Sequence, residues 1–260
     1  MKPLNPAMNA RSMQMLAQAD LLLLVADLLD QPRRVADRLV PIGLGTQTEL
    51  LQGAGWSDQP ELAQALEQTL AELEAVDLDK RADAYTILFD GAIACPSDES
   101  MYVRRDKGAI LADICGFHRA FGFKPVAHDH EKPDHIVAEI QFVAVLLAMF
   151  SQAIDRGDEP AAQVTQQALV DFTRDHISEW LPLFCDRLEQ VANLPLYHHA
   201  PRLLRLSWQA LMQSHDLPQP DQLAPGPDMA DSGTPYECDM ADGENAAVDL
   251  RVNGSPIAYS

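Results

Sequence analysis

The amino-acid sequence predicts an all-α protein, and three observations carry that expectation. Apolar residues recur at three- and four-residue spacing through most of the first 215 positions, the period of helices that each bury one face. Prolines and glycines fall where helices start and stop. No run of alternating β-branched residues bounded by hairpin turns is present, the pattern that a sheet requires.

The elements follow in order. Met13, Leu16, Ala17, Leu21, Leu24 and Leu28 mark an amphipathic helix over residues 9–30, stopped by Pro32. Pro60, behind Ser57 and Asp58, takes a first-turn position where its missing N–H costs nothing, and opens a helix to about Val76. The pattern resumes from Leu78 to Phe89 until Asp90-Gly91 ends it, and again from Asp106 to Phe121, closed by Gly122. Pro133 starts the strongest helix, with Asp134 near the positive end of its dipole, and Gly157 stops it after Arg156. Pro160 starts the next, which is expected to reach Trp180 and Leu188 despite Pro182. His198 to Gln213 is the last.

Composition changes at residue 216. Six of the 18 prolines, nine acidic residues and a single Arg251 occupy the final 45 positions, with few large apolar groups. Such a stretch does not offset its ordering entropy, so the expected organisation is one helical domain over 1–215 and a Pro-rich, acidic, disordered tail over 216–260. The hydrophobic content of 47% is ample for a core. Cys95, Cys115, Cys185 and Cys238 form no Cys-x-x-Cys pair and read as reduced thiols of a cytoplasmic protein. No secretory signal is visible, and the uncharged run around Ile140 to Ile154 falls short of the ~20 residues of a membrane span, so no membrane insertion is expected. Nineteen basic against 39 acidic residues, a net of −20, repel phosphate backbones and exclude nucleic acid as a partner.

Few residues offer chemistry. Gly43-Leu-Gly45 is not followed by a lysine at phosphate-loop spacing, and no nucleophile elbow occurs. The stretch His128, Asp129, His130, Glu131, Asp134, His135, Glu139 is the one place for metal ligation, but its spacing is not that of a zinc protease. Pro133 separates His128 and His130 from the helix face that His135 and Glu139 are expected to share with Phe142 and Leu146. Metal, packing and peptide binding all remain open for that face on spacing alone.

The segment Glu131-Lys-Pro-Asp-His-Ile-Val-Ala-Glu-Ile-Gln-Phe142 resembles the signature of the TorD/DmsD-like chaperones that assemble molybdenum enzymes. Tyr85-Thr-Ile-Leu-Phe89, the loop from Pro96 to Tyr102, Phe117 to Phe123, and His176 to Trp180 with Phe184 and Tyr197 resemble further elements of that family, in the same order over roughly residues 10–214. Phe117-His118 departs from the commoner Tyr-Arg pair, and the acidic tail is extra.

The resemblance implies a single helical bundle of the TorD-like type and no catalytic step or bound cofactor of its own. It implies a partner: the immature catalytic subunit of a DMSO-reductase-type enzyme, held until its molybdopterin guanine dinucleotide is inserted, together with that subunit's twin-arginine leader. Leu88, Phe89, Pro96, Pro133, Asp134 and His135 are the positions implied to shape the peptide site. Two arginines followed by an apolar helix call for an apolar groove with carboxylates at one end. Leu88, Phe89 and Phe142 are expected as groove wall, and Asp134 or Glu139 as the anionic partner. The alternatives are a metal-dependent hydrolase built on His128, His130, Asp134 and His135, and a delta-type subunit retained on the mature complex.

Overall fold

A computed structural model describes residues 6–39, 46–90, 94–123, 132–220 and 223–225, and a strand pair in which Arg251–Val252 runs antiparallel to Ser255–Pro256. Ten α-helices build the body among the described residues: α1 (Pro6–Leu29), α2 (Pro32–Leu39), α3 (Thr46–Ala54), α4 (Pro60–Ala75), α5 (Leu78–Tyr85), α6 (Lys107–Ala120), α7 (Ile136–Arg156), α8 (Glu159–Asp175), α9 (Ile177–Val191) and α10 (Pro195–Ser214). The fold class is the all-α bundle that the sequence predicts.

Helix α1 lies against α7 in the most extensive helix pair, flanked by α3 and α10, while α8 covers α7 and α10 packs on α4 and α9. The pair supplies the centre of the core: Leu21, Leu22 and Val25 of α1 and Val143, Leu146 and Leu147 of α7 are wholly buried. Each such side chain stabilises the fold by roughly 1.5–3 kcal/mol relative to exposure. Ala10–Leu29 and Ile136–Arg156 are long and apolar enough to cross a membrane by length and composition, yet 61% and 67% of their apolar windows face the protein interior. Two helices of one core pass the same composition test.

Several boundaries differ from the sequence pattern, each for a physical reason. Pro32 does not merely stop α1; it is the first residue of α2, which Arg34 holds to Asp30 and Arg38 holds to Asp27 at 3.2 Å. α2 and α3 are too short to show a periodic signal. The helix expected through Phe89 becomes α-helical to Tyr85 and then widens into a π-helical turn, Thr86–Asp90, which buries Leu88 and Phe89 and leaves Ile87 56% exposed. The helix expected from Pro160 to Leu188 is two helices, broken at His176 (φ −125°, ψ −99°).

The strongest helix begins three residues later than Pro133 predicts. His135 is its N-cap, with Nδ1 accepting from Val137 N–H at 3.2 Å, and Pro133 and Asp134 form the turn before it. Backbone pairing to the 97–99 segment holds that turn out of the helix: Glu99 N–H donates to Asp134 O and Ile136 N–H donates to Ser97 O, both at 2.8 Å. Gly157 closes α7 in the left-handed region at φ +66°, where a side chain would be strained.

The tail expected from residue 216 falls mostly outside the described residues, 226–250 included. Its described beginning is packed. Asp216 reverses the chain at φ +50°, Leu217 and Ala224 are buried, and Ala224 N–H donates to Glu179 O at 2.9 Å. Two small apolar anchors and a backbone bond carry the helical body to residue 225.

Candidate functional site

The 97–99 pairing with 134–136 joins two segments that the resemblance assigns to one peptide site, the Pro96 loop and the turn at Pro133, Asp134 and His135. The loop is rigid from within. Tyr102 OH donates to Pro96 O at 2.8 Å, and the Tyr102 ring lies 5.2 Å from Trp180. Cys95 N–H donates to Leu88 O at 2.9 Å, which ties in the π-helical turn. Lys132 pairs with Asp98 across the rim.

Beneath this surface lies a buried polar cluster. Glu99, in the short 3-10 turn Glu99–Met101, is wholly buried. Its Oε1 accepts from Arg105 Nη2 at 2.7 Å and its Oε2 meets His176 Nδ1 at 2.9 Å. His176 Nε2 lies 3.3 Å from Asp113 Oδ2. Arg105 Nη2 donates further to Asp175 O at 2.7 Å and Glu179 Oε2 at 3.0 Å. From the first turn of α7, Glu139 points inward, and its Oε2 accepts from Trp180 Nε1 at 3.1 Å. The break at His176 thus has a cause: the imidazole is recruited to Glu99, at the expense of helical backbone.

The carboxyls titrate unlike exposed ones. Burial, and then the adjacent Glu99, push Glu139 well above the usual carboxylate range, which favours its protonated form. Burial followed by Asp98 raises Asp134, against the lowering effect of its bond from Ser100 N–H at 3.3 Å. Burial lowers His135. Asp134 Oδ1 and Glu139 Oε1 are buried without a hydrogen-bond partner.

The expected site residues therefore divide. Pro96, Asp134 and Glu139 are buried at the loop junction, with Pro133 and His135 half-buried at its rim. Leu88 and Phe89 are buried in the π-helical turn, Phe89 between Tyr85 at 4.9 Å and Tyr197 at 6.0 Å. Phe142 is the hub of an aromatic cluster, 4.7 Å from both His118 and Phe172, with Phe117, Phe121 and Phe123 within 6.4 Å. In the described form these rings are core rather than an open groove wall. His128 and His130 lie outside the described residues, and no group of three or more His, Cys, Asp or Glu is placed to hold a metal ion among the described ones.

Sequence reasoning missed Glu99, Arg105 and Glu179 as site residues. Glu99 sits in a polar stretch that looks solvated, and the one local signal was a histidine interrupting an otherwise helical pattern at 176. The accessible face of the cluster is a cleft of about 480 Å³ lined by Arg105, Ala109, Ile110, Ala112 and Asp113.

The family model described as the nitrate reductase delta subunit matches residues 56–186, half of the chain and all of this cluster. The chain belongs to that family. Within it, the chain is similar to the chlorate reductase assembly chaperone protein of Ideonella dechloratans, at 34% identity over 85 residues, which cover 33% of this chain and 43% of that protein. It is 34% identical over 83 residues to the selenate reductase assembly chaperone protein of Thauera selenatis, covering 32% and 42%. Chaperone protein TorD of Vibrio cholerae is 31% identical over 110 residues, 39% of this chain and 46% of that protein. The matched region thus spans less than half the length of each of these relatives. The TorD-like resemblance read from the motifs agrees with these matches.

Proposed function

We propose that this delta-subunit family member is a system-specific assembly chaperone and not a catalyst. It works in the cytoplasm, where it binds the immature catalytic subunit of a DMSO-reductase-type molybdoenzyme and that subunit's twin-arginine leader. It holds the subunit for cofactor insertion before export. The observation that carries this reading is the family match, together with relatives that are named assembly chaperones. The geometry is in keeping with it: the carboxyls at the matched motifs engage one another, Trp180 and Arg105 in a buried network, an arrangement suited to binding rather than turnover.

The proposed contact region comprises Leu88, Phe89, Pro96, Pro133, Asp134, His135, Glu139 and Phe142. Most of them are covered, so binding there proceeds with release of the 94–105 loop from the α7 start. Its edge against the α7 start is held by two backbone bonds, the Ser100 N–H bond to Asp134 and the Lys132–Asp98 pair, contacts whose local opening would lift that edge as a flap. Release of the client needs no ATP, because a client that folds around its cofactor loses affinity for the flap site.

Capture of the co-expressed apo catalytic subunit, with and without its leader, tests the role. Asp134→Ala with His135→Ala is expected to weaken capture at least about tenfold, that is by ~1.4 kcal/mol or more; unchanged leader binding by this pair would refute the site. Stoichiometric co-purification with the mature, cofactor-loaded enzyme would point instead to a retained delta-type subunit, a reading that the family description keeps in view.

A further inference from the structure

Arg105 is an exposed side chain whose guanidinium reaches a wholly buried carboxylate. Its side chain is 39% exposed, while that of Glu99 is wholly buried and that of Glu179 is 16% exposed. The three acceptors come from separate pieces of chain: the 3-10 turn, the last residue of α8 and the first turn of α9. All three converge on Nη2, at 2.7, 2.7 and 3.0 Å. That nitrogen carries two protons, so the cage offers more acceptors than its occupant saturates.

A second observation points the same way. Glu139, wholly buried beside Glu99, has one oxygen, Oε1, to which no group of the described residues donates. Carboxyl groups in this cluster thus outnumber its arginine. It also has an approach, since the cleft of about 480 Å³ lined by Arg105, Ala109, Ile110, Ala112 and Asp113 adjoins it.

Emptying the cage is costly. Without Arg105, the buried Glu99 keeps His176 and the neighbouring Glu139 but loses its arginine, and a buried carboxylate stripped of its cationic partner destabilises a fold. Exchange of one cation for another avoids that cost. Guanidinium is the group of choice, because it is more weakly hydrated than ammonium and is the group already seated there. Arg105 itself can leave: Arg104 and Arg105 lie in irregular chain between the 3-10 turn and the Asp106 cap of α6, and Arg104 is already exposed.

We propose that Glu99, Glu179 and the Asp175 carbonyl form the arginine subsite for an incoming polypeptide, and that Arg105 is its resident stand-in, displaced when the partner's arginine enters. The inference rests on the client-binding role above, and it names a subsite and a built-in competitor that the motif residues do not include. The chain's own Val103-Arg104-Arg105-Asp106, followed by the apolar positions of α6, has the chemistry of the ligand it would exclude: consecutive arginines ahead of a helix.

Calorimetric titration tests the exchange, using the full chain and its Arg105→Ala variant. The probe is a synthetic peptide with two consecutive arginines before an apolar helix-forming segment, against a twin with glutamines in their place. The variant is expected to bind the diarginine peptide at least about tenfold tighter than the unaltered chain, with no gain for the glutamine twin. Equal affinities, a gain for both peptides, or no binding by either protein overturns the proposal. Should Arg105→Ala not fold, hydrogen exchange on the unaltered chain decides: the diarginine peptide is expected to speed exchange at residues 103–106, and slowed or unchanged exchange there overturns it. Client capture without an Arg105 effect would remove the exchange and leave the chaperone role, whereas a tenfold effect without capture would remove the role and leave the subsite.

Discussion

From Val143 onward, α7 is buried by aliphatic and aromatic side chains of α1 and α8, and its one polar core residue, Ser151, is satisfied by Ser12 with hydroxyls 2.7 Å apart. Its first turn is held otherwise. There His135, Glu139 and the preceding Asp134 engage Val137, Trp180 and Ser100 over sequence separations of up to 41 residues. The two ends of one helix thus show two ways of being buried. A dry interface is non-directional and tolerates volume-conserving exchange, whereas a polar one is specified by individual donors and is costly when half-satisfied.

The largest expected effect lies at the boundary between the ends. Phe142 touches five aromatic rings and is 4% exposed. Phe142→Ala is expected to destabilise the fold by about 3–5 kcal/mol, read as a lower urea midpoint. A loss under ~1 kcal/mol would mean that the cluster collapses freely and that the dry end is not tightly packed.

The next effect appears with acid. Burial, and then the nearby His176, lower His118 to about 4. The folded state keeps this imidazole neutral while the unfolded chain takes up a proton near 6.5, so stability falls as pH drops from about 6.5 to about 4. At ~1.4 kcal/mol per pH unit, the loss attributable to this residue is about 3 kcal/mol. His118 Nδ1 has no partner, so His118→Leu gives up no bond at that atom. The variant is expected to match the parent at pH 7 and to lose that part of the acid sensitivity, as urea midpoints across a pH series would show; an unchanged acid slope would refute it.

How much of this was legible in the sequence follows the same division. The dry end of α7, α4, α6 and α10 were readable because apolar spacing is local, and Gly157 and Pro60 punctuate as their backbone chemistry dictates. The start of α7 was misplaced by three residues because a non-local pairing, Glu99 with Asp134, outcompetes the helix that Pro133 would open. The motif resemblance placed Pro96 and Pro133 to His135 in one site, and the structure pairs those segments. Glu99 was not legible at all: within Pro96-Ser-Asp-Glu-Ser nothing local distinguishes a wholly buried carboxylate from a solvated one. Its burial is decided by His176 and Arg105, which lie 77 and 6 residues away.

The polar end yields two smaller effects that sharpen the contrast. Trp180→Phe keeps an aromatic ring against Tyr102 but removes the Nε1 donor and part of the buried ring volume; the unpaired Glu139 Oε2 alone costs about 1–3 kcal/mol. Glu139→Gln is the gentlest change, because an amide mimics a protonated carboxyl: its oxygen still accepts from Trp180 and its NH2 donates where the acid's proton did. At pH 4.5 the variant is expected within about 1 kcal/mol of the parent. The pH trend then carries the test. A carboxyl raised by folding is protonated in the folded state while the unfolded chain ionises near 4.5, so the parent loses stability as pH rises from there toward the folded-state value. Glutamine does not titrate, so the variant gains on the parent across that range in urea midpoints. A parent that instead gains on the variant as pH rises would show Glu139 ionised in the fold, and would make the first turn of α7 a charged anchor rather than a neutral one.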